Sequence, residues 1–387
     1  MPTPRLRTIG PTNGPTGTMQ IPGVFKTRTR ATSAHHCEDY VDGGYMDKPL
    51  DLSHRFFAPP LINGWNGKTG SLKREFINYP VDYPAEVAVP VPGFGPFSGS
   101  SDAALATEVA AKTNPSRAHV QLPVFWAEAR EFPRLLKQTG DLLNRSFKAA
   151  RSNRLKDFNP RDLANANLAM QFGWAPLIGD LGKLLNYQKS VEKRLDELIG
   201  LNQKGGLKRR RNEPQQTLTQ GPYSKTLNSY GGTVHGDEYT LQTRDRWVTI
   251  RWKPNSLFPK PGDPKFVKKF YTYYLGLDPS QQIQNLWDAM PWTWLIDWFS
   301  TTGDFIQASN NSIAYISNIN VMTHYQATTT WTPTSWMYYV SVEEGVFKRE
   351  RKMRSQHYPS LVASLPILSN RQLSILGSLA VTKLRFR

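Results

Sequence analysis

The stretch "MPWTWLIDWF" (Met290–Phe299) sets three tryptophans, a proline and one carboxylate within ten residues of a chain that is hydrophilic on average. At 100° per residue, Trp292, Trp294, Leu295, Ile296, Trp298 and Phe299 sweep an apolar arc of roughly 200°, leaving Thr293, Asp297, Ser300 and Asp304 as a narrow polar strip. A helix so apolar is expected at the centre of a core. An aromatic cage for a base needs rings held open beside a polar groove, whereas these rings cover most of the circumference. Asp297 is expected to bond to a neighbouring helix or an arginine, because no acid or histidine stands at motif spacing to make it catalytic. Asp288 and Asp297 interrupt the apolar run, and no span of ~20 predominantly apolar residues occurs, so no membrane span is predicted.

Working outward, Leu177, Leu181, Leu184, Val191, Leu195 and Leu198 recur at steps of three and four and predict a helix from about Arg161 to Ile199. Gly200 is its expected stop, and Pro176 is expected to kink or break it just after "QFGW". An earlier helix carries Leu135, Leu136, Leu142, Leu143 and Phe147 on one side and Arg134, Lys137, Arg145, Lys148 and Arg151 on the other. The first hundred residues, dense in Gly and Pro, read as irregular β with long loops. Residues 217–252 alternate and carry Gly-Gly and His-Gly-Asp turn signals of antiparallel strands. Helical signals return at 278–309, where Asp278 caps and Pro279 fits the first turn. Strands are expected again from Tyr315 to about Arg354, and then a basic amphipathic helix ends the sequence.

This β, α, β, α, β, α order comes in blocks of tens of residues, which is the wrong grain for a doubly wound fold. The expected class is α+β: an elongated protein of two regions, each assembled from discontinuous segments. Residues 112–204, 277–314 and 361–387 would form a helical bundle, and residues 1–111, 205–276 and 315–360 an antiparallel sheet region.

Lysine and arginine number 48 against 31 acidic residues, a formal charge of +17, which points first to nucleic acid and second to an anionic membrane surface. The basic face of the first helix is either a phosphate contact or a solvated face. Further clusters lie at Lys204–Arg211 (with Lys208, Arg209, Arg210 and Arg211), at Arg244–Lys269, at Lys348–Arg354 and around Arg371 and Lys383. Patches so scattered suit a folded RNA better than one groove of duplex DNA. A single cysteine, Cys37, excludes an internal disulfide and a thiolate zinc cluster. "HHCED" (His35–Asp39) is too tightly spaced to build a tetrahedral metal site by itself. Phosphate-loop, HExxH and GxSxG motifs are absent, so neither an enzyme nor a cofactor is indicated. The first residues carry no apolar run behind their basic start, so a protein made in and kept to the cytosol is expected. Residues 305–342 hold no Asp, Glu, Lys or Arg. Such a segment is either a protein-recognition surface or a strand shielded by its neighbours.

"QFGWAPLIGD" (Gln171–Asp180), "MPWTWLIDWFSTTGDFI" (Met290–Ile306) and the basic C-terminal helix, in that order and at that separation, resemble the maturation protein (A protein) of single-stranded RNA bacteriophages. The resemblance covers about Asn114 to Arg387. In that family one copy per virion replaces a coat-protein dimer, holds the genomic RNA through a helical region inside the shell, and projects a β region towards the host pilus. The resemblance implies the same partners here: viral single-stranded genomic RNA, coat protein and a bacterial pilus, in a virion assembled in the host cytoplasm. It places Phe172, Trp174, Pro176, Asp180, Trp294, Asp297 and Trp298 in a packed centre, with RNA contacts on the basic faces around it. Tyr338, in the uncharged segment, is the expected receptor contact. Two alternatives stay open, an RNA-binding protein that acts outside any capsid and a maturation protein that also lyses its host by blocking cell-wall synthesis.

Overall fold

Strand β1 (Thr3–Ile21) runs for 19 residues through two Gly-Pro pairs before pairing back on β2 (Val24–Val41). The first forty residues are therefore one long hairpin, irregular only in register, where short strands and long loops were expected. Register shifts between Ile9 and Thr12 and between Asn13 and Thr16 absorb Gly10, Pro11, Gly14 and Pro15, so the ladder survives residues that would break a regular one. The computed structural model describes residues 3–21, 24–41, 50–58, 60–66, 74–80, 94–118, 121, 137, 141, 160–175, 187–229, 232–289, 293–335, 340–363 and 369–383.

The chain is α+β and divides into two compact units, each discontinuous in sequence. The first comprises Met1–Asp102, Arg210–Ile250 and Asn318–His357, and the second comprises Ala103–Arg209, Arg251–Ser317 and Tyr358–Arg387. Against the expected segments, residues 103–111 and 251–276 move to the second unit, with the short stretches 205–209, 315–317 and 358–360. Helices account for the shift: α1 (Asp102–Thr113) and, numbered in chain order, α4 (Pro264–Tyr274) lie inside stretches read as strand.

The first unit is built on an 11-stranded sheet. After β1 and β2 come β3 (Leu50–Ala58), β4 (Leu61–Asn66), β5 (Arg74–Pro80), β6 (Leu207–Asn212), β7 (Gln216–Ser229), β8 (Gly232–Pro254), β9 (Ala314–Ser335), β10 (Val340–Val342) and β11 (Gly345–Gln356). Their order across the sheet is β10-β4-β5-β1-β2-β3-β11-β9-β8-β6, with β7 on β8. Met19, Phe57, Ile62, Phe76, Tyr79, Val234, Trp331, Val340, Val342 and Phe347 form its buried core. Gly236 lies inside β8 and makes no turn, contrary to the His-Gly-Asp signal. The Trp331 ring lies where its Cβ would stand, so glycine is required there by close approach. β9 sits between β11 and β8, which explains the missing charges of the uncharged segment: Ile319, Val321, Ala327 and Trp331 are buried in it.

The second unit contains, among the described residues, α1, α2 (Pro160–Ala169), α3 (Tyr187–Gln203), α4, α5 (Gln282–Ala289), α6 (Thr293–Phe299), α7 (Thr302–Ala308) and α8 (Asn370–Lys383). The predicted long helix is α2 followed by a widened π turn, Met170–Trp174, closed by Ala175 N–H donating to Met170 O. That turn directly precedes Pro176, whose nitrogen has no hydrogen to donate. α3 continues through Gly200, and the stop is Gly205, whose φ of +62° suits the chain reversal after Gln203. Asp278 caps as expected: its carboxylate accepts from Ser280 N at 3.0 Å, although the turn it starts is 3-10 (Pro279–Gln281) before α5 begins. α2 and α8 are joined through Asn167 Nδ2, which donates to Ser374 Oγ at 3.0 Å and Ser378 Oγ at 2.8 Å.

The tryptophan-rich stretch corrects the central expectation. α6 is only seven residues long, and its burial is inverted. Thr293 is 7% exposed, whereas Ile296 is 49% and Phe299 37% exposed, and Trp298 is half-buried. The buried aromatic centre of this unit is instead Phe258, Phe266, Phe270, Tyr273 and Tyr274, on and beside α4. The inversion has a physical cause. Short helices leave a large share of their N–H and C=O groups without intrahelical partners, and polar side chains are spent on such groups, even from an exposed position such as Asp297. Asp297 accepts from Gly303 N in α7 at 2.9 Å and from Trp287 Nε1 in α5 at 3.2 Å, and Ser300 Oγ donates to Ile296 O at 3.0 Å. The polar strip stitches α5, α6 and α7 together. No helix among the described residues is long and apolar enough to cross a membrane.

Candidate nucleic-acid interface

In the first unit, β6 supplies Arg210, Arg211 and Asn212, and alternation sends successive side chains to opposite faces. Arg210 lays its guanidinium over the Trp247 ring at 4.5 Å, and its Nε donates to Asn212 Oδ1 at 3.0 Å. Both arginines are exposed, and Arg211 has no ion-pair partner among the described residues. An exposed guanidinium set over an indole suits phosphate contact and stacking on an unpaired base. The sequence reading gives Trp247 no part in RNA binding, and names its strands only as an alternative receptor surface. Its signal was the strand alternation, which turns it to the face opposite Val248.

In the second unit, Lys208 is exposed, but Arg209 is committed internally. Its Nη2 lies 2.9 Å from Glu197, and Arg194 holds the other oxygen of the same carboxylate at 2.6 Å. Burial pushes the Glu197 carboxyl up, yet the two arginines outweigh it and hold the group below its ordinary range. Arg371 is exposed on the first turn of α8, where its Nε donates to Gln171 Oε1 at 2.8 Å. Lys137 is helical and exposed, one turn from the equally exposed Asp141. Arg134, Arg145, Lys148 and Arg151 lie outside the described residues, as does the side chain of Lys383 at the end of α8.

In two further basic clusters part of the charge is taken up inside the protein, while Arg251, Lys253, Lys260, Lys265 and Lys268 are exposed. Arg244 and Arg246 are 6% and 5% exposed. Arg244 Nη2 donates to Ser98 O at 2.7 Å and Gln216 Oε1 at 2.9 Å, while Arg246 donates to Ser100 O at 2.8 Å and stands 3.2 Å from Glu213. These arginines hold residues 98–100 and cannot meet phosphate. Lys269 pairs with Asp278 at 2.7 Å. In β11, Arg351 Nε donates to Asp51 Oδ1 at 3.0 Å and Lys352 stands 2.7 Å from Glu350, leaving Lys348 exposed.

The motif residues are spread as well. Phe172, in the π turn, is 42% exposed and so is no part of a packed centre. Trp174 lies in the same turn, and its side chain, like that of Trp294, is outside the described residues, as are Pro176, Asp180 and Tyr338.

In "HHCED", strand β2 sends His35, Cys37 and Asp39 to one face and His36 and Glu38 to the other. No group of three His, Cys, Asp or Glu side chains among the described residues could hold a metal. The register instead lines up a row across four strands. The His35 and His54 rings stack at 4.0 Å and 8°, His54 lies 3.9 Å from Glu350, and His324 Nε2 lies 2.7 Å from the same carboxylate. Burial, and then the charge of His35, hold His54 below its ordinary pKa.

No protein-family model and no curated protein matches this chain.

Proposed function

We propose that the chain is a maturation protein of the single-stranded RNA phage type, which binds genomic RNA, takes a place in the coat shell and attaches the particle to a host pilus. It performs no catalytic step. The ordered motifs at Gln171–Asp180 and Met290–Ile306 support the family, and the +17 charge supports the polyanionic partner. The observation that carries RNA binding is the exposed Arg210 set over the Trp247 ring at 4.5 Å, with Arg211 exposed on the other face of the same strand. Arginine on an aromatic platform meets both phosphate and base, and single-stranded RNA offers both.

Mass spectrometry of purified particles is expected to find about one copy of the chain per genome, as the family resemblance implies. Its absence from particles, with RNA affinity retained by the isolated protein, would establish a capsid-independent RNA-binding protein instead.

A further inference from the structure

Strands β1, β2, β3, β11 and β9 lie side by side in the first unit, and their pairing register fixes which side chains share a face. One face holds Tyr325 and Arg349 and is covered: the Phe94 ring stacks on Tyr325 at 4.9 Å, and Arg349 lies over Phe94 at 5.7 Å. On the opposite face one row across the strands runs Ile9, His35, His54, Glu350 and Gln326, and the next runs Ser33, Phe56, Lys348 and Thr328. His35 and Phe56 are exposed, the latter at 39%, so two rings on neighbouring strands meet solvent there. The charges of this face are sorted by contact. Arg5 Nε donates to Asp39 Oδ1 at 3.1 Å, and Lys352 and His324 each stand 2.7 Å from Glu350, so both carboxylates are engaged. Arg7 and Lys348 are exposed on the same face and have no ion-pair partner among the described residues.

We infer that this sheet face is a second platform for single-stranded RNA, with unstacked bases on His35 and Phe56 and phosphates on Arg7 and Lys348, a reading that rests on the RNA-binding proposal above. The two cations flank the two rings, three strand spacings or about 14 Å apart across the sheet, a span that a short single strand can bridge. Histidine and phenylalanine rings offer a base a stacking partner whatever its sequence, and the cations take the links between bases. A duplex hides the faces of its bases, so the rings select a single strand. An acidic peptide would meet the cations and leave the rings without a flat partner.

The test begins with a uridylate decamer carrying one central 4-thiouridine, crosslinked by near-ultraviolet light to the full-length protein. Mass spectrometry of the attached peptides is expected to mark residues 33–37 and 54–56, and crosslinks that avoid them overturn the platform. Affinity for the plain uridylate decamer then separates rings from charges. His35→Ala combined with Phe56→Ala should weaken binding by roughly tenfold, the loss of a base stack, at an unchanged salt slope. Arg7→Gln combined with Lys348→Gln should make the slope of log K against log salt shallower by roughly 1.4. Circular dichroism checks the fold of each variant, and the crosslink needs no variant at all. Unchanged affinity and slope in both folded variants, or an abasic decamer that binds as tightly as the uridylate one, overturns the platform while leaving the contact at Arg210 intact. Loss of the crosslink to an equal concentration of decaglutamate would assign the face to an acidic peptide and also overturn it. Failure of the wild type to bind the decamer at low salt sinks the RNA-binding reading itself.

Discussion

The tryptophan-rich helix α6 and the arginine-bearing strand β8 exchange the roles that their compositions suggest. α6 shows Ile296 and Phe299 to solvent and turns Thr293 inward, whereas β8 buries Arg244 and Arg246 in line with Val248, Ile250 and Trp252. In a strand, position parity decides which face a side chain takes, and the chemistry must be accommodated afterwards. The arginines are accommodated by carbonyls and by Glu213. In a helix of two turns, end groups outnumber internal hydrogen bonds, so Thr293 goes inside and Asp297, although exposed, is spent on the neighbouring helices. Local geometry outranks residue type in both.

Breaking the strand side of this comparison should have the largest effect. Arg246→Ala would take from Glu213, 3.2 Å away, the nearer of its two buried arginines, and from the part-exposed Asp102 the one at 3.7 Å. Removing one partner of a buried pair typically costs ~3–5 kcal/mol, to be read from the urea midpoint. Arg246→Met, which keeps the aliphatic volume, should cost as much if it is the charge that matters. A loss below ~1 kcal/mol in both would mean that the buried arginine is only tolerated.

The helix side should respond less. Asp297→Ala removes the acceptor of Gly303 N and Trp287 Nε1 and should destabilise the second unit by ~1–2 kcal/mol, the range of a lost cap. Ile296→Ser on the exposed side should stay within ~0.5 kcal/mol. The reverse order, with Ile296→Ser the more damaging, would restore α6 as a core helix.

Acidification sharpens the contrast between the units through opposite signs. His54 has a folded-state pKa below its ordinary value of 6.5, so its stabilising contribution is present above that value and lost as pH falls through the lowered one. Asp288 and Asp304 are pushed above the ordinary 3.8 by burial, so the folded state binds their protons more tightly and gains stability as pH falls through the raised values. Hydrogen exchange at stepped pH should show peptides from β3 and β11 losing protection below about 6.5 while those from α5 and α7 do not. Replacing His54 by Asn should flatten the first trend. Peptides from both regions losing protection together would refute the assignment.

Much of this was legible in advance, and the failures share a cause. The α+β class, the hairpin of β7 and β8 and the cap at Asp278 follow from period and local capping chemistry, which depend on near neighbours. The role of Arg244 was also open to inspection: its parity with Val248 and Ile250 places it on the inward face, and charge counting obscured this. The inversion of α6 was not legible, because the arc over Trp292–Phe299 assumes one continuous helix and nothing local shows that Gly303 N takes Asp297 as its acceptor. Gly236 likewise resembled a turn until Trp331, 95 positions away in the sequence, was seen to lie on it.

The smallest effect on stability, and the most direct on function, belongs to the outward arginines. Arg210→Gln combined with Arg211→Gln leaves β6 with its neighbours and removes two exposed charges that no described carboxylate neutralises. Apart from the stacking on Trp247, worth ~0.5–1 kcal/mol at an exposed site, the fold should not register the change. Binding should. For single-stranded RNA the slope of log K against log salt is about −0.7 per neutralised phosphate, so losing two contacts makes it shallower by roughly 1.4. Arg210→Lys separates the two parts of the contact, because lysine keeps the charge and hence the slope but loses the planar stack, lowering affinity without changing salt dependence. Arg244→Gln is the internal control: it removes a charge of the same sign from the same sheet, but one buried against Ser98 O and Gln216, and should destabilise the protein with no change of slope. If instead Arg244→Gln flattened the salt dependence and the outward pair did not, then the exposed arginines would be merely solvated, and the division drawn here between inward and outward charge would fail where it bears on RNA.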